Sequence, residues 1–412
     1  IFISKNGTHV QKSVNLDMEE YKDLSITKQA FIRTLDKEEF KNYQAGIVLQ
    51  AYLPDSFAIQ KELTGWAKKR VENHGAPIKI RIVKGANMEM EILEPGLYNW
   101  PLAPYNNKLE VDANYKRMVD YGMEEENIKA VNLGIASHNL FELAYAYNIA
   151  KTNNVIPYFV FEMLEGMADH IRRAIKETVP DMLLYAPIAR KQEFINAIAY
   201  LVRRLDENTG HENFLRYSCN ITTNSKQWDY LEKQFIDSYF FKDKAKQSPN
   251  RIQDRTDESF KEKGTFYEDR FTNEADTDFS LIANVDWAKQ VRDKWKKSEE
   301  SEVIKVPVVV GGSEITEGRD VNQCFDLSLI NENNNSKIHI ADSFLANEDD
   351  IDTAIQTALN DDDNWKDKPP LERHKILSHA ANNLRKARGD LIGAAIASTG
   401  KIFSEADAEV SE

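Results

Sequence analysis

Residues 78–90 read IKIRIVKGANMEM and contain the clearest strand ending in the chain. Isoleucine occupies every second position up to Val83, and such β-branched residues are typical of a buried strand. Gly85 then allows the backbone to turn or to approach a bound group closely. Functional side chains of parallel barrels gather at the carboxyl ends of the strands, so Arg81 and Lys84 are candidate site residues. Ordinary solvent-facing charges at a strand end remain the alternative for this segment alone.

The composition of the chain is that of a globular protein with two or three domains. It has 412 residues, of which 42% are hydrophobic and 10% aromatic. A net charge of −14 argues against general binding to nucleic acid or anionic lipid. Cys219 and Cys324 are far apart, which favours neither a disulfide framework nor a zinc site and suits a reducing cytoplasm. No apolar run approaches the roughly 20 residues of a membrane span.

Residues 10–210 alternate short apolar runs with amphipathic stretches, a pattern that predicts successive βα units around a parallel sheet. The fold class is therefore α/β, and we expect about six of the eight units of a (β/α)8 barrel, with two more strands before Ile1. The chain is accordingly interpreted as a piece of a longer protein. The predicted strands are 13–17, 46–52, 78–86, 128–137, 155–164 and 182–188.

The remaining segments divide the chain into a barrel over 1–215, a linker region with some helix over 216–284, and a second domain over 285–412. Residues 93–108 contain Pro95, Gly96, Pro101 and Pro104, and they predict a long loop on the side where barrels keep their active sites. Helices are predicted at 55–73, 139–153, 286–297, 349–360 and 370–399, and a strand at 306–310 before a Gly311-Gly312 turn.

Polar residues close several of the predicted strands. Asp17 ends the first, Gln50 the second, His138 the fourth and Tyr185 the last. Side chains in these positions converge at the mouth of a barrel and predict a binding site there. A single histidine in such a place is also common as a structural hydrogen-bonding residue, and both interpretations stay open.

The segment YLVRRLDE, residues 200–207, follows the last predicted strand. Arg203 and Arg204 point about 100° apart on a helix, so together they can hold one anion if this helix end faces the site. A solvated helix face is the other interpretation of an adjacent arginine pair.

Taken in order, these motifs carry a resemblance to a known family. VNLDMEE, VLQAYL, RIVKGANMEME, ASHN, FEMLEGMA, YAPI and YLVRRLDEN resemble the flavin-dependent proline dehydrogenase barrel of the bifunctional proline utilization family. Residues 370–412, beginning PLERHKILSHAANNLRKARG, resemble the N-terminal helices of aldehyde dehydrogenases. Where familiar barrels have an aromatic pair after the glycine and alanine, this chain has Asn87 and Met88. The lining of the site after the third strand is thus expected to differ.

The resemblance implies a role for each matching residue. Arg81 would lie beside the flavin N5, and Arg203 and Arg204 would bind the substrate carboxylate. The pocket around the substrate ring would be shaped by Asp17, Leu164, Tyr185 and Tyr200. The other FAD contacts would come from Gln50, Val83, Lys84, Gly85, Ala86, Ser137, His138 and Asn139.

The resemblance also implies an activity, the oxidation of L-proline to 1-pyrroline-5-carboxylate with FAD, followed by NAD-dependent oxidation of glutamate semialdehyde to glutamate. The flavin carries the redox chemistry, so no metal is expected. The NAD-binding and catalytic residues of the second activity would lie beyond Glu412. Membrane quinone as electron acceptor, peripheral membrane association, a cytoplasmic location and a homo-oligomer are further expectations, and no nucleic-acid partner is expected on this chain. Two alternatives are a barrel lyase or aldolase with Lys84 as Schiff-base nucleophile and a non-catalytic interaction module.

Overall fold

The computed structural model describes residues 2–5, 8–85, 87–218, 221–257, 274–296, 301–328 and 338–412, with side chains except at 2–11, 196, 199, 203, 206 and 207. The chain folds into two compact units. The first comprises residues 1–97 and 101–252, and the second comprises 98–100 and 253–412. None of the helices in the described ranges is both long and apolar enough to cross a membrane.

A six-stranded parallel sheet forms the centre of the first unit, and each strand pairs with the next one along the chain. The α/β class predicted from the sequence is confirmed, and a separate antiparallel hairpin precedes the sheet. The hairpin strands are β1 (Phe2–Lys5) and β2 (Thr8–Gln11), and the sheet strands are β3 (Asn15–Leu16), β4 (Gly46–Gln50), β5 (Ile78–Val83), β6 (Val131–Ala136), β7 (Phe159–Leu164) and β8 (Met182–Tyr185).

Helices follow each of the sheet strands along the chain. They are α1 (Leu24–Leu35), α2 (Asp55–Glu72), α3 (Met88–Tyr98), α4 (Lys108–Gly122), α5 (Glu125–Ile128), α6 (Leu140–Thr152), α7 (Asp169–Lys176), α8 (Phe194–Thr209), α9 (Leu215–Ser218) and α10 (Lys226–Phe241).

The alternation of β5 separates its two faces. Ile78, Ile80 and Ile82 are fully buried in the core that also contains Leu63 of α2 and Met118 of α4. Burying each such side chain contributes about 1.5–3 kcal/mol relative to leaving it exposed. Because successive side chains of a strand point to opposite faces, the intervening Lys79, Arg81 and Val83 lie on the other side, which is the inner face of the curled sheet.

The prediction of a loop over 93–108 is wrong in its first part, because α3 continues to Tyr98 with Pro95 inside it. Proline and glycine disfavour a helix interior, but tertiary contacts override this local preference. Glu91 of α3 is buried and accepts a hydrogen bond from the backbone nitrogen of Tyr21 at 2.6 Å. That contact holds the helix against the segment after β3.

Other predicted boundaries need smaller corrections. The strand predicted from residue 128 begins at Val131, because residues 125–128 form α5, and the strand predicted from 155 begins at Phe159, after a 3-10 turn. The other four predicted strands are each shorter than expected. The β1–β2 hairpin was not predicted, although the Asn6-Gly7 dipeptide between its strands is the strongest short-range hairpin signal.

The second unit combines short strands with helices. β13 pairs antiparallel with β12 and parallel with β9, and β10 and β11 form a hairpin. Its elements are α11 (Ile282–Trp295), β9 (Ile304–Val306), β10 (Val308–Val310), β11 (Ser313–Ile315), β12 (Val321–Phe325), β13 (His339–Phe344), α12 (Glu348–Asn360), α13 (Pro370–Lys386), α14 (Arg388–Thr399) and α15 (Phe403–Ser411).

The Gly311-Gly312 turn predicted in this unit is confirmed, with φ of 56° and 80°, which glycine adopts without strain. The strand predicted over 306–310 is divided at Pro307, which has no amide hydrogen to donate to a neighbouring strand. The helix predicted over 370–399 is two helices that meet at Ala387. Arg388, directly after this break, is buried, and its Nε donates to Asp407 Oδ1 at 2.8 Å.

Candidate active site

A cavity of about 610 Å³ opens at the carboxyl ends of the sheet strands in the first unit. Tyr185 is not among its lining residues, while Ala86 and the side chain of Arg203 fall outside the described residues. The cavity brings together twelve of the predicted site residues, namely Asp17, Gln50, Arg81, Val83, Lys84, Gly85, Ser137, His138, Asn139, Leu164, Tyr200 and Arg204.

Arg81 is held at the cavity wall by a carboxylate that the sequence analysis did not identify. Its Nε lies 2.8 Å from Oε2 of Glu162, whose side chain is fully buried. Lys79 forms an ion pair with the other oxygen of the same carboxylate. On its other side the Arg81 guanidinium lies 4.5 Å from the centre of the Tyr185 ring. Burial, and next the Glu162 carboxylate, raise the pKa of the Tyr185 phenol above its ordinary value.

Lys84 points into a second group of charges. Its Nζ lies 2.5 Å from Asp112 Oδ1 on α4 and 3.0 Å from Glu142 Oε1 on α6. Burial alone would lower the pKa of Lys84, but these two carboxylates outweigh it and raise the pKa above the ordinary value. Lys84 is therefore a charged ammonium at neutral pH.

Two more lysines surround the same carboxylates. Lys108, at the start of α4, pairs with Asp112, and the fully buried Lys116 pairs with Glu142. Three lysines thus share two carboxylates, which gives the group a formal charge of +1, while burial and next the Lys84 charge lower the pKa of Lys108. The amino terminus of α4 adds the partial positive charge of a helix dipole.

Gly85 lies against the ring of Tyr52. Its φ is 130°, and a Cβ at this position would lie 2.5 Å to 2.7 Å from carbon atoms of that ring. Only glycine fits this place without displacing the tyrosine. The absence of a side chain at Gly85 therefore lets the Tyr52 ring pack against the strand end at the cavity.

Several buried polar atoms around the cavity have no hydrogen-bond partner among the described residues. They include Gln50 Oε1, Tyr52 OH and His138 Nδ1. The other ring nitrogen of His138 accepts from the backbone nitrogen of Leu164 at 3.4 Å. Burial, and next the Arg81 charge, lower the pKa of His138 to about 4. His138 is therefore neutral at physiological pH, with one ring nitrogen available to a ligand.

The far wall of the cavity comes from α8 and the segment that follows it. The Arg204 guanidinium lies 4.4 Å from the centre of the Tyr200 ring, and both residues line the cavity. Asp17, which lines the cavity after β3, accepts a hydrogen bond from the backbone nitrogen of Met18 at 3.2 Å. An arginine and an aromatic ring on one helix turn suit a small anionic ligand with an apolar body.

The carboxylates that hold the predicted cations were not predicted from the sequence. Glu162 is the only charged residue in strand FVFEML, and such a residue requires a buried partner. That signal was available, although it did not name the partner. Lys108 and Asp112 lie four residues apart directly after the helix cap Asn107, which indicates an ion pair on a helix start.

The cavity lining is compatible with the flavin dinucleotide that the family resemblance implies. Gln50 Oε1 offers an unpaired acceptor, and His138 Nδ1, which carries the ring proton, offers an unpaired donor. The positive group around Lys84 and Lys108 suits the phosphates of a dinucleotide. The volume is within the range of about 300–1,000 Å³ that is usual for ligand sites.

Comparison with known proteins assigns the two ends of the chain to the two families that their sequence motifs resemble. The proline dehydrogenase family model matches residues 3–217, and the aldehyde dehydrogenase family model matches residues 327–412. The bifunctional protein PutA of Salmonella typhimurium is 26% identical over 414 residues, and that of Escherichia coli K12 is 25% identical over 414 residues. Each match covers 97% of this chain but 29% of the relative, so the chain spans less than a third of these proteins.

Solved structures give the same result. Proline utilization A from Bdellovibrio bacteriovorus, inactivated by N-propargylglycine, is 30% identical with a TM-score of 0.78 over 96% of this chain and 38% of that one. Proline utilization A from Corynebacterium freiburgense is 32% identical with a TM-score of 0.69 over 97% of this chain and 33% of that one. Because the proline dehydrogenase model covers more than half of the chain and the start of an aldehyde dehydrogenase domain follows it, the chain belongs to the proline dehydrogenase family in its bifunctional, PutA form.

Proposed function

We propose that the first unit takes part in the FAD-dependent oxidation of L-proline to 1-pyrroline-5-carboxylate. The observation that carries the proposal is the placement of Arg81 and Arg204 around one cavity at the strand ends of a proline dehydrogenase family member. In this proposal Arg81 faces the flavin and Arg204 faces the substrate.

The residues of the cavity divide into two groups in this proposal. Gly85, which lines the cavity, would lie near the flavin, while Gln50 Oε1 would accept a hydrogen bond from it and His138 Nδ1–H would donate one. Lys84 and Lys108 would neutralise the phosphates. Val83, Ala86, Ser137 and Asn139 complete the proposed contacts. When bound, FAD supplies a two-electron acceptor for the hydride that leaves proline.

The substrate carboxylate would bind Arg203 and Arg204. A hydrogen bond to a charged group contributes about 1.5–3 kcal/mol, so two such contacts can hold a small amino acid. Tyr200, Leu164 and Asp17 line the cavity and would shape the space around the pyrrolidine ring. Tyr185, which lies behind the Arg81 guanidinium, would contribute to the same space. These side chains bind and orient proline, and they exclude water from the reacting carbon.

The alternative of a Schiff-base lyase is disfavoured by the surroundings of Lys84. A lysine nucleophile must lose its proton, whereas Asp112 and Glu142 keep this ammonium charged. A visible absorption spectrum of the full-length protein separates the candidates. Flavin absorbance that is bleached by proline is expected here. A colourless protein that borohydride inactivates in the presence of a carbonyl substrate would support the lyase, and a protein with neither property would support an interaction module.

We extend the proposal to the remainder of the pathway that the family implies. Support for an NAD-dependent oxidation of glutamate semialdehyde comes from the aldehyde dehydrogenase match over residues 327–412 and from the bifunctional relatives. Membrane quinone as acceptor, a homo-oligomer, and a cytoplasmic protein that associates with the membrane surface are inferred from family resemblance. Proline-dependent reduction of NAD and of a short-chain quinone by the full-length protein tests these steps separately.

A further inference from the structure

Arg81 and Glu162 belong to strands that are not neighbours in the sheet. Arg81 pairs with Gly134 of β6, and Glu162 lies one strand further on, in β7. Their side chains meet above β6 because Gly134 has none. A Cβ at Gly134 would lie 2.8 Å from Cδ of Glu162 and 2.9 Å from Cε of Lys79.

Three charges meet at this place. Glu162 contacts Lys79 and Arg81 together, and its carboxylate has no exposure to solvent. Lys79, Arg81 and Glu162, here called the barrel triad, carry a net charge of +1. Since charges in such surroundings are poorly screened, the triad acts on the cavity as a unit rather than as a single arginine.

We propose that Glu162 is a positioning residue that fixes the Arg81 guanidinium at the cavity wall and, through the net charge of the barrel triad, sets the reduction potential of the bound flavin. The inference rests on the proposed function. A cation beside the flavin stabilises its reduced, more negative form, and a buried carboxylate on that cation weakens the effect. Glu162, which also lines the cavity, is proposed to tune the cofactor through the charge of the triad.

The test compares four forms of the full-length protein by the reduction potential of their bound flavin, measured anaerobically against reference dyes. The triad charge is +1 in the wild type, +2 in Glu162→Gln, 0 in Lys79→Met and +1 in the double variant. We expect the reduction potential of the flavin to rise as the triad charge becomes more positive. Glu162→Gln should shift the oxidised-to-reduced equilibrium at least tenfold toward the reduced flavin, about 30 mV for a two-electron couple. Lys79→Met should shift it the other way, and the double variant should return close to the wild type.

Lys79 does not line the cavity, so its effect cannot come from lost contact with the cofactor. Glu162→Gln leaves two cations together. If it fails to fold for that reason, the reduction potentials of Lys79→Met and of the charge-balanced double variant are compared with that of the wild type. Potentials that do not follow the triad charge in flavin-loaded protein would overturn the inference. A wild-type protein that holds no flavin would instead overturn the proposed function, and this inference with it.

Discussion

Lys116 Nζ lies 3.1 Å from Glu142 Oε1, and neither side chain is more than 1% exposed. The same ammonium lies 2.8 Å from Ser238 Oγ on α10 and 4.5 Å from the centre of the Phe235 ring. Since Glu142 also pairs with Lys84, one buried carboxylate joins the cavity to the packing of α10 against the barrel helices.

Glu142→Gln should destabilise the first unit strongly. The substitution leaves Lys116 in the interior without its carboxylate, and breaking a buried pair in this way costs about 3–5 kcal/mol. A lower urea midpoint measures the loss. The same substitution at Glu125, which forms an exposed pair with Lys129, should leave the midpoint unchanged. Adding Lys116→Met to Glu142→Gln should recover much of the loss, and a double variant no better than the single one would contradict the argument.

Arg204→Met should raise the KM for proline well over tenfold while the flavin stays bound. The reason is the loss of a charge-assisted contact to the substrate carboxylate, which contributes about 1.5–3 kcal/mol. Arg203→Met is expected to act in the same direction. Steady-state kinetics with flavin absorbance as a loading check measure both. Arg173→Met on the exposed side of α7 is the matched control, and an unchanged KM in the Arg204 variant would rule out its assigned role.

Arg81→Met should lower the reduction potential of the bound flavin and slow its reduction by proline. The variant removes the cation that the wild type holds against Glu162 and Tyr185 at the cavity wall. Potentiometry and stopped-flow bleaching of the flavin follow the two effects. Should the potential stay constant while only proline binding weakens, Arg81 faces the substrate rather than the cofactor.

Gly85→Ala should reduce the flavin content of the purified protein severalfold. Its Cβ would strike the Tyr52 ring, and the residue must also keep a φ of 130°, which costs about 1–3 kcal/mol for other residues. The ratio of flavin to protein absorbance reports the result. Gly166→Ala is the matched control, because Gly166 has a φ of 82° but no atom within 4 Å of the added Cβ. Equal flavin loss in both variants would assign the effect to backbone strain alone.

His138 makes the stability of the first unit depend on pH below neutrality. Its pKa is about 4 in the folded protein against an ordinary value of 6.5. Between these values the unfolded chain binds a proton that the folded chain does not, so stability falls as the pH falls from 6.5 to 4, by up to about 3 kcal/mol. Urea midpoints across this range should depend less on pH in His138→Gln. Identical pH profiles for both proteins would contradict the assignment.

The strand ends could be predicted from the sequence because β-strand alternation is a local property. Arg81, Gln50 and His138 each follow apolar residues whose burial fixes the register, and the order of parallel strands then brings them to one cavity. The (β/α) pattern was therefore enough to place most of the cavity lining.

The partners of these residues could not be predicted in the same way. Glu162 reaches Arg81 across β6 only because Gly134 leaves the space, and that contact joins residues 81 positions apart. Asp112 and Glu142 lie on helices rather than at strand ends. α3 was missed because Pro95 is a strong local signal, whereas the contact of Glu91 with Tyr21 depends on the folded chain.

The helix α10 lies outside the proline dehydrogenase match, although it packs against the helices of the first unit. The proline dehydrogenase match ends at residue 217, yet Lys116 depends on Ser238, and Arg117 donates to the carbonyl of Ala245 at 2.8 Å. In the second unit, Asp407 lies within the aldehyde dehydrogenase match but accepts from the backbone nitrogen of Thr277, which precedes that match by fifty residues. The boundaries of the family matches therefore differ from the boundaries of the buried, hydrogen-bonded units. A protein shortened to the two matched segments would keep the buried charges of Lys116, Arg117 and Asp407. It would lose hydrogen-bond partners of these charges that lie outside the matches.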